Sequence, residues 1–455
     1  MLDAGIFKRY DIRGEVGVNL DEAVTEMIGR AFGSWLAEQG ITQAVLGHDN
    51  RVSSPSLAEA ATRGLLAAGC DVTAVGQVST PLVYWRAVEA GEIGALMVTG
   101  SHLPPQMNGF KLAVGARNLY GAQIQTLRER IAAGDFAQGE GQLNPDAEAR
   151  DRYVAMLRGK LRHPRPLRIV VDAGNGMGGV FALPLLESLG HTVIPLHCEP
   201  DGTYPNHQPD PQDTANLRDL VAAVHAERAD VGLAFDGDAD RVGVVDDQGQ
   251  PIPADRVLAL LARDVLARHP GATVVGDVLC SQVLFDAVER AGGVPLIWAS
   301  GHSLVKAKMA EVGAVLGGEM SGHIFIRDGF YGFDDGVYVA GRVVQLLTEG
   351  EAPLSARTAE LPTLYATPEY RPRCPEARKA EVIAAVRDAL AADYPINDVD
   401  GVRVTFPNGW GLLRASNTEP VLSLRFEGAT EADALEYKRI FQQALRTAYP
   451  EIADF

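Results

Sequence analysis

Residues Leu167–Leu196 read LRIVVDAGNGMGGVFALPLLESLGHTVIPL. A short run rich in Val and Ile comes first, followed by a glycine-rich turn, a longer apolar segment closed by Gly190, and a second short apolar run. Short runs of β-branched residues favour strands, and the longer segment has the length of a helix. The order therefore predicts a strand–helix–strand unit, in which a helix joins two parallel strands of one sheet.

The same order of segments occurs twice more. An earlier copy runs through QAVLGHDNR, PSLAEAATRGLLAAG and CDVTAVG, and a later copy runs through ATVVGDVLCS, QVLFDAVERAGG and VPLIW. Gly69, Gly190 and Gly293 close the three helical segments about 100–120 residues apart, which is the spacing of domains and not of short repeats. Three copies predict three similar mixed α/β domains.

The C-terminal part has a different pattern. VRVTFPNGWGLLRASNTEPVLSLRFEG contains two alternating segments around PNGWG, a hairpin signal, and helical segments flank it. This pattern predicts a smaller α+β domain. Polar stretches near 140–148, 246–255 and 361–376 are the expected linkers, and they place the four domains at residues 1–146, 147–250, 251–362 and 363–455.

The composition is that of a globular protein, with 455 residues of which 46% are hydrophobic. The net charge of −18 argues against nucleic-acid binding, which needs a basic surface. No apolar stretch approaches the roughly 20 residues of a membrane span, and MLDAGIFKRYDIRGE lacks a signal-peptide core. We therefore expect a cytoplasmic protein without a membrane partner. The four dispersed cysteines, Cys70, Cys198, Cys280 and Cys374, favour free thiols.

The sequence VGLAFDGDADRVGVVD carries the strongest chemical signal. Asp236, Asp238 and Asp240 fall within five residues, and Arg241 follows them. Such carboxylates repel one another unless a cation lies between them, and hard oxygen ligands suit Mg²⁺ or Ca²⁺. Apolar runs on both sides would hold this turn against a core, which argues against a solvated acidic turn.

Two other kinds of site share part of this pattern. A calcium EF-hand loop also begins D-x-D-x-D, but Arg241 occupies the place of its glycine and Asp247 that of its glutamate. An aspartyl-phosphatase loop would use Asp236 as the nucleophile and Asp238 as the acid, although Asp240 does not fit that loop. We favour a Mg²⁺ site with one position open for a phosphate oxygen, and we keep a Mg²⁺-dependent sugar-phosphate phosphatase as the alternative function.

A serine lies in the stretch VTGSHLPPQMNGFK. Ser101 follows the apolar run IGALMVTG, so it should project from the end of a buried strand, where α/β proteins form their sites. The two prolines stiffen the loop, and His102 and Lys111 are candidate electrostatic partners. A serine in such a turn also serves as a cap or turn residue. This stretch alone leaves both roles open.

Two glycine-containing stretches have weaker signals. In GGEMSGHIFI, residues Glu319, Ser321 and His323 alternate, so in an extended segment they would face one side and suit sugar hydroxyls. A polar loop after a strand would look similar. For DAGNGMGG we favour a turn between strand and helix over a phosphate site.

The C-terminal stretch LLRASNTEP combines a guanidinium with hydroxyl and amide groups. These groups, together with backbone N–H groups, can cradle a phosphate. A capped turn is the alternative. The candidate residues are Arg414, Ser416, Asn417, Thr418 and Arg425.

Five motifs occur in order along essentially the whole chain: YDIRG, TGSH, DGDADR, GEMSGH and RASNTEP. Together they resemble those of the α-D-phosphohexomutases, particularly the bacterial phosphomannomutase/phosphoglucomutase branch. One such motif would be weak, but five at domain-like spacing are specific. The resemblance implies an α/β fold of three similar mixed α/β domains followed by a smaller α+β C-terminal domain, around a central cleft.

The resemblance also implies roles for the candidate residues. Ser101 would be the phosphoserine that carries the phosphoryl group, and one of its phosphate oxygens would bind Mg²⁺ together with Asp236, Asp238 and Asp240. The catalytic candidates are Ser101, His102, Lys111, Arg13, Arg241 and His323. The substrate-binding candidates are Tyr10, His302, Glu319, Ser321, Arg414, Ser416, Asn417, Thr418 and Arg425.

The implied activity is the interconversion of hexose 1-phosphate and hexose 6-phosphate, with glucose, mannose or both as the sugar. It would run through a phosphoserine enzyme and a hexose 1,6-bisphosphate intermediate, with Mg²⁺ and glucose 1,6-bisphosphate as cofactors. The partners would be small-molecule sugar phosphates, and we expect a monomer, with a dimer as the alternative. A hinge near 361–376 would let the intermediate turn over.

Two positions depart from the family pattern. Leu103 stands where the serine loop usually has asparagine, which removes a polar side chain beside Ser101. Leu279 stands where this branch often has a lysine in the catalytic site. A positive charge near the transferred phosphate would then be missing unless another basic residue supplies it.

Overall fold

The computed structural model describes residues 2–416 and 420–452 of the chain, and all three predicted strand–helix–strand copies are present in it. These residues fall into two units, Met1–Val257 with Ser321–Thr358 and Leu258–Met320 with Ala359–Phe455. The helices, numbered along the chain, are α1 (Glu22–Glu38), α2 (Ser54–Ala67), α3 (Thr80–Glu89), α4 (Ala122–Ala133), α5 (Ala149–Lys160), α6 (Gly178–Ser188), α7 (Arg218–Glu227), α8 (Ala254–Arg268), α9 (Gln282–Arg290), α10 (His302–Val312), α11 (Gly336–Thr348), α12 (Leu354–Ala359), α13 (Glu376–Leu390) and α14 (Glu431–Ala448).

The first sheet lies in the first unit and contains the earliest of the three copies. Its strands are β1 (Ile12–Glu15), β2 (Gln43–His48), β3 (Asp71–Gln77), β4 (Gly94–Val98), β5 (Met107–Val114), β6 (Arg117–Asn118) and β7 (Leu143–Pro145), in the order β1-β5-β4-β2-β3-β7 with β6 on β5. Strand β2 pairs in parallel with β3 and β4, whereas β5 is antiparallel to β4. The turns after β2 and β4 therefore leave the same edge of the sheet.

The second sheet also lies in the first unit, and it contains the stretch Leu167–Leu196. Its strands are β8 (Arg168–Asp172), β9 (Thr192–Leu196), β10 (Val231–Phe235), β11 (Val242–Val245) and β12 (Pro251–Ile252), in the order β12-β11-β10-β8-β9. Helix α6 joins the parallel strands β8 and β9, as predicted. Strand β10 is parallel to β8 and antiparallel to β11, and the tight connection between β10 and β11 carries the three aspartates.

The third copy lies in the second unit. Its strands are β13 (Thr273–Asp277), β14 (Val294–Trp298) and β15 (Leu316–Gly318), and β13 pairs in parallel with the other two. The following strand, β16 (Ile324–Ile326), belongs to the first unit. Residues 319–323 form a turn in which Gly322 has a φ of +92°, so the prediction of an extended segment there was wrong. Glycine readily adopts such a left-handed φ, which favours a turn at this position.

The C-terminal sheet is entirely antiparallel. Its strands are β17 (Tyr365–Ala366), β18 (Ile396–Asn397), β19 (Val402–Phe406), β20 (Gly409–Ala415) and β21 (Leu422–Gly428), in the order β17-β21-β20-β19-β18. The hairpin predicted from PNGWG joins β19 to β20. Val404, Leu413 and Phe426 point to one face, where they join the apolar core that includes residues of α13 and α14. Because side chains alternate along a strand, Arg414 and Arg425 lie on the other face.

Each predicted linker contains a short edge strand. Strand β7 lies in 140–148, β12 in 246–255 and β17 in 361–376. They pair with β3, β11 and β21, respectively. A polar composition indicates exposure but does not show whether the backbone pairs with a neighbouring strand. The four domain boundaries stay predictions, and the second sheet extends through β12, just beyond residue 250.

The turns that carry Ser101 and the three aspartates follow two buried strands, β4 and β10. All five residues of β4 and all five of β10 are buried. Such strands, packed on both faces, hold the turns that follow them rigidly. In the described ranges, no helix has the length and apolar character needed to cross a membrane.

Candidate functional site

Ser101 lies in the turn that follows β4. Its side chain is buried, and its φ of +49° lies in the left-handed region, which is uncommon for a residue other than glycine. The hydroxyl Oγ donates a hydrogen bond to Asp236 Oδ2 at 2.9 Å and lies 3.2 Å from His102 Nδ1. The serine of the first sheet is therefore aimed at the aspartates of the second.

The three aspartates follow β10 in a buried turn. Ala239 within this turn has a φ of +58°, and one carboxylate oxygen of each aspartate lies within 4.8 Å of the others. Thr80 at the start of α3 holds Asp238 from two sides, since its N–H donates to the Asp238 carbonyl at 3.0 Å and its hydroxyl to Oδ2 at 2.5 Å. The geometry brings together three carboxylates that the sequence placed only along the chain.

Two cations lie against these carboxylates. The Lys111 ammonium on β5 donates to Asp238 Oδ2 at 2.7 Å and to Asp240 Oδ2. Arg241 donates from Nε to Asp236 Oδ2 at 3.0 Å. Burial lowers the pKa of Lys111, but Asp238 and Asp240 outweigh it and hold that pKa well above its usual value. Both cations are thus charged, yet they leave three carboxylates incompletely neutralised.

The pKa values of the aspartates reflect this imbalance. Burial, reinforced by Asp240, raises the pKa of Asp236 to about 7, and burial, reinforced by Asp238, raises the pKa of Asp240 to about 6. Asp238 is also buried, but Lys111 holds its pKa below the usual range. Among the described residues, Asp238 Oδ1 and Asp240 Oδ1 are buried without a hydrogen-bond partner. Buried carboxylate oxygens with unused lone pairs fit a hard divalent cation.

Two histidines flank the aspartate turn. His323 Nδ1 lies 3.1 Å from Asp334 Oδ2 and 3.7 Å from Asp240 Oδ1. Burial lowers the pKa of His323, although Asp334 opposes that shift. Burial, together with the Arg241 charge, holds the pKa of His102 well below its usual value. Both rings are therefore neutral at pH 7 and able to accept a proton. Asp334 was not among the residues predicted from the sequence.

Arg13, Tyr10 and Ser321 also belong to the first unit. Arg13 Nε pairs with Asp11 Oδ2 at 2.5 Å, and its charge helps to lower the pKa of His102. The Tyr10 ring lies 5.4 Å from the Arg9 guanidinium carbon. Ser321 is exposed, and its carbonyl accepts from Arg241 Nη1 at 3.3 Å.

Asp49 and Arg51 were missed by the sequence analysis. Both follow β2 and are completely buried. Asp49 Oδ2 accepts from the Thr99 hydroxyl at 2.8 Å and from the Gly100 N–H at 3.1 Å, and Arg51 donates to the Ser101 carbonyl at 2.8 Å. Their signal was HDNR, a polar run directly after a strand in the same copy of the repeat.

In the second unit, Glu319 and Arg414 belong to one hydrogen-bond network. Glu319 Oε1 accepts from the Gly301 N–H at 2.5 Å and from the Ser300 hydroxyl at 3.3 Å. The Ser300 N–H donates to Asp400 Oδ2 at 3.2 Å, and Arg414 Nη2 pairs with the same oxygen at 2.9 Å. His302 is buried at the start of α10, one residue after Gly301.

Arg425 lies beside one of the two departures from the family pattern. Its Nη1 donates to the Leu279 carbonyl at 3.1 Å, so a positive charge is present next to the position where a lysine was expected. The Ser416 carbonyl accepts from Lys379 Nζ at 2.8 Å. Asn417 and Thr418 lie outside the described residues.

The structure thus sorts the predicted residues into two sets. The first unit holds Tyr10, Arg13, Ser101, His102, Lys111, Asp236, Asp238, Asp240, Arg241, Ser321 and His323, and the second holds His302, Glu319, Arg414, Ser416 and Arg425.

The stretch DAGNGMGG forms a turn between β8 and α6. The Met177 N–H donates to the Gly237 carbonyl at 2.9 Å. A Cβ on Gly176 would lie 2.8 Å from the Gly237 Cα, which is too close for any side chain. The turn between β8 and α6 therefore supports the aspartate turn through backbone contacts.

Four family models match the chain in order. They describe the alpha/beta/alpha domains I, II and III of phosphoglucomutase/phosphomannomutase, at residues 4–138, 151–249 and 253–365, and the C-terminal domain, at residues 369–443.

Similar proteins cover nearly the whole length. A phosphomannomutase/phosphoglucomutase from Pseudomonas aeruginosa is 46% identical over 98% of this chain and 96% of its own. A phosphoglucomutase from Neisseria meningitidis is 42% identical over 94% of each. A crystal structure of a phosphoglucomutase/phosphomannomutase family protein from Burkholderia thailandensis has a TM-score of 0.95 at 43% identity, covering 100% of this chain and 99% of that one.

Proposed function

We propose a reaction route for this chain from the premise that it belongs to the phosphoglucomutase/phosphomannomutase family. It is a hexose-phosphate mutase, an isomerase that moves a phosphoryl group between two positions of one sugar. Its proposed substrates are the 1- and 6-phosphates of glucose and mannose. One observation supports the route above all: the Ser101 hydroxyl is buried and donates to Asp236 within the carboxylate cluster.

In the proposed route, resting Ser101 carries a phosphoryl group. The bond from phosphorus to Ser101 Oγ breaks while a bond to the free sugar hydroxyl forms, and the hydroxyl proton leaves to a base. The resulting hexose 1,6-bisphosphate turns over, and its other phosphoryl group returns to Ser101 Oγ while a proton goes to the sugar oxygen left behind. Phosphate and protons balance over the cycle, so only the trace bisphosphate that primes Ser101 is needed.

The cations beside Ser101 have a direct role in this route. Phosphoryl transfer depends on positioning and on neutralising the charge of the transferred group. Lys111 and Arg241 are buried positive charges that are already oriented by the aspartates. We propose that Asp236, Asp238 and Asp240 hold Mg²⁺, which when bound acts as a Lewis acid towards phosphoryl oxygens.

The remaining residues have proposed roles in proton transfer and in binding the distant end of the sugar. His323 and His302 are the proposed proton carriers, and Asp334 holds His323 through Nδ1. Glu319 and Ser321 would bind sugar hydroxyls. The other phosphate would be held by Arg414, Ser416, Asn417, Thr418 and Arg425.

An aspartyl phosphatase finds no support. The relatives are named as mutases. Asp236 also has a pKa raised to about 7, and its Oδ2 accepts from both Ser101 and Arg241. An oxygen that already accepts two hydrogen bonds is a poorer nucleophile than a free carboxylate oxygen.

Three further properties are proposals. Glucose 1,6-bisphosphate would serve as the activator that primes Ser101. The enzyme would act in the cytoplasm as a monomer. The free state of all four cysteines is compatible with a reducing compartment.

Ser101→Ala tests the route. We expect a loss of at least about 10³-fold in kcat, because the group that carries the phosphoryl is removed. The assay follows 6-phosphate formation from glucose 1-phosphate or mannose 1-phosphate with Mg²⁺ and a trace of glucose 1,6-bisphosphate. Ser56→Ala, at an exposed serine on α2, is the matched control. Undiminished turnover by Ser101→Ala would reject the route.

A further inference from the structure

Arg51 is a buried cation that the proposed reaction does not use. It follows β2 and is 1% exposed. A charge in such a place is unfavourable unless it is paired and hydrogen-bonded. Asp49 Oδ2 lies 3.3 Å from its Nε, and its remaining donors face one loop. That loop is the one that carries Ser101.

The guanidinium lies at the centre of the serine loop. Arg51 Nη2 donates to the carbonyls of Ser101 at 2.8 Å and Leu103 at 2.6 Å, and Nη1 donates to those of Pro104 at 2.6 Å and Met107 at 2.9 Å. Four carbonyls of one loop thus converge on a single planar cation. Only a guanidinium has enough donors in a fixed fork to hold them together.

The peptide groups on both sides of Ser101 depend on the Asp49–Arg51 pair. Arg51 holds the Ser101 carbonyl directly. The Ser101 N–H donates to the Thr99 hydroxyl at 2.8 Å, and that hydroxyl donates to Asp49 Oδ2 at 2.8 Å. Ser101 has a left-handed φ of +49°, which surrounding contacts must maintain.

The other side of the guanidinium reaches the aspartate turn. The Arg51 guanidinium carbon lies 5.1 Å from the centre of the Tyr204 ring. The Tyr204 hydroxyl is 3.3 Å from the place that a Cβ on Gly237 would take, so the tyrosine packs against the turn between Asp236 and Asp238. Arg51 therefore contacts the serine loop directly and the aspartate turn through one side chain.

We propose that Arg51, paired with Asp49, is a positioning residue that fixes the Ser101 oxygen against Asp236 for phosphoryl transfer. The proposal rests on the phosphoserine route given above. Arg51 acts through the loop backbone and not on the substrate, because its guanidinium is buried and donates to loop carbonyls. A displacement of about 1 Å in a reacting atom can lower a rate about 10²-fold. Loss of Arg51 should therefore reduce kcat and leave KM nearly unchanged.

The test compares Arg51→Lys with Gly100→Ala. Lysine keeps the charge but cannot hold four carbonyls. Alanine at Gly100 keeps Arg51 and Asp49, but its Cβ would collide with the guanidinium. For both variants we expect kcat to fall about 10²-fold with KM for glucose 1-phosphate within about two-fold of wild type. Arg63→Lys, at an exposed arginine on α2, is the matched control and should retain wild-type values.

A second measurement separates this proposal from the route beneath it. The enzymes are first dephosphorylated at Ser101, so that its hydroxyl is free to accept a phosphoryl group. They are then mixed with glucose 1,6-bisphosphate labelled in its phosphates, and the rate of label transfer to Ser101 is followed by peptide mass spectrometry. Slow labelling of both variants, with normal labelling of Arg63→Lys, supports the positioning role. Wild-type rates and kcat in a folded Arg51→Lys or Gly100→Ala protein would overturn it. Wild-type enzyme that takes no label on Ser101 would instead reject the phosphoserine route.

Discussion

The first and third strand–helix–strand copies place a buried aspartate at the same point, directly beyond or at the end of their first strand. In the first copy, Asp49 pairs with Arg51 and organises the serine loop. In the third, Asp277 accepts from the Cys280 thiol at 3.0 Å and from the Met320 N–H at 3.3 Å, and its Oδ2 lacks a hydrogen-bond partner among the described residues. Burial raises the pKa of Asp277, and hydrogen bonds oppose the shift only in part.

The second copy lies between these two cases, because its aspartate pairs with a histidine and not with an arginine. Asp172 ends β8, and its carboxylate lies 3.1 Å from His207 Nε2. Burial lowers the pKa of His207, but Asp172 outweighs it, so the pKa of the imidazole is raised. The repeat thus sets the position of the carboxylate, and the neighbour supplied by another loop sets its charge.

Among the variants that test this comparison, Asp49→Asn should lower the unfolding free energy most. It leaves Arg51 as a buried cation without its carboxylate, which costs about 3–5 kcal/mol of unfolding free energy. Urea unfolding at pH 7 measures the loss. Asp135→Asn, at an exposed aspartate, is the control. A loss below about 1 kcal/mol would mean that the ion pair does not stabilise the serine loop.

A pair of histidines in the second α/β region tests the opposite case, burial without charge. The Leu167 N–H donates to His191 Nδ1 at 3.0 Å, so His191 carries its proton on Nε2 and donates it to His163 Nδ1 at 2.6 Å. His163 in turn donates from Nε2 to the Gly341 carbonyl at 3.0 Å. A further proton on His191 would lie on Nδ1 and face the Leu167 N–H, and one on His163 would lie on Nδ1 and face the His191 Nε2–H. In either case two hydrogen-bond donors would point at each other.

This pair should make the protein sensitive to acid. Burial lowers the pKa of His163 and of His191 to about 4, whereas both titrate near 6.5 in an unfolded chain. The unfolded state therefore takes up protons first, and the unfolding free energy falls as the pH drops from about 6.5 to about 4. We expect a loss of roughly 1–2 kcal/mol for each ring at pH 4.5, discounted for partial exposure.

Urea midpoints at pH 7, 6, 5 and 4.5 measure this dependence. His191→Gln should lower stability at pH 7 and flatten the slope, because the replacement does not titrate. His225→Gln, at an exposed histidine, should keep the wild-type slope. An unchanged slope in His191→Gln would show that the pair is not responsible.

Asp277→Asn should have the smallest effect. Asp277 has a raised pKa and Oδ2 makes no hydrogen bond in the described structure, so asparagine can keep the acceptor and remove an unfavourable buried charge. We expect the unfolding free energy at pH 7 to change by less than about 1 kcal/mol. A loss as large as that of Asp49→Asn would show that both aspartates are paired anions and would remove the contrast between the copies.

The sequence predicted the elements well where the chain repeats a simple pattern. The stretch Leu167–Leu196 forms β8, α6 and β9 because its apolar periods match those elements, and the PNGWG turn joins β19 to β20 as expected. The edge strands β7, β12 and β17 were not predicted, because their polar composition carries no sign of backbone pairing. The segment 319–323 was expected to be extended, but it turns at Gly322.

By itself, the sequence indicated candidates for the chemistry: the DGDADR aspartates stand out because carboxylates are costly to bury without a partner, and Ser101 stands out through the resemblance of its motif to the family pattern. It also determined the repeated α/β units, since local periodicity is enough to specify a strand or a helix. Only the tertiary structure decided how the charges balance. Lys111 reaches the aspartates from β5, Asp334 reaches His323 from beside α11, and Arg51 reaches the Ser101 loop from the end of β2. Each contact joins residues far apart in the chain, and no local pattern records which buried cation meets which anion.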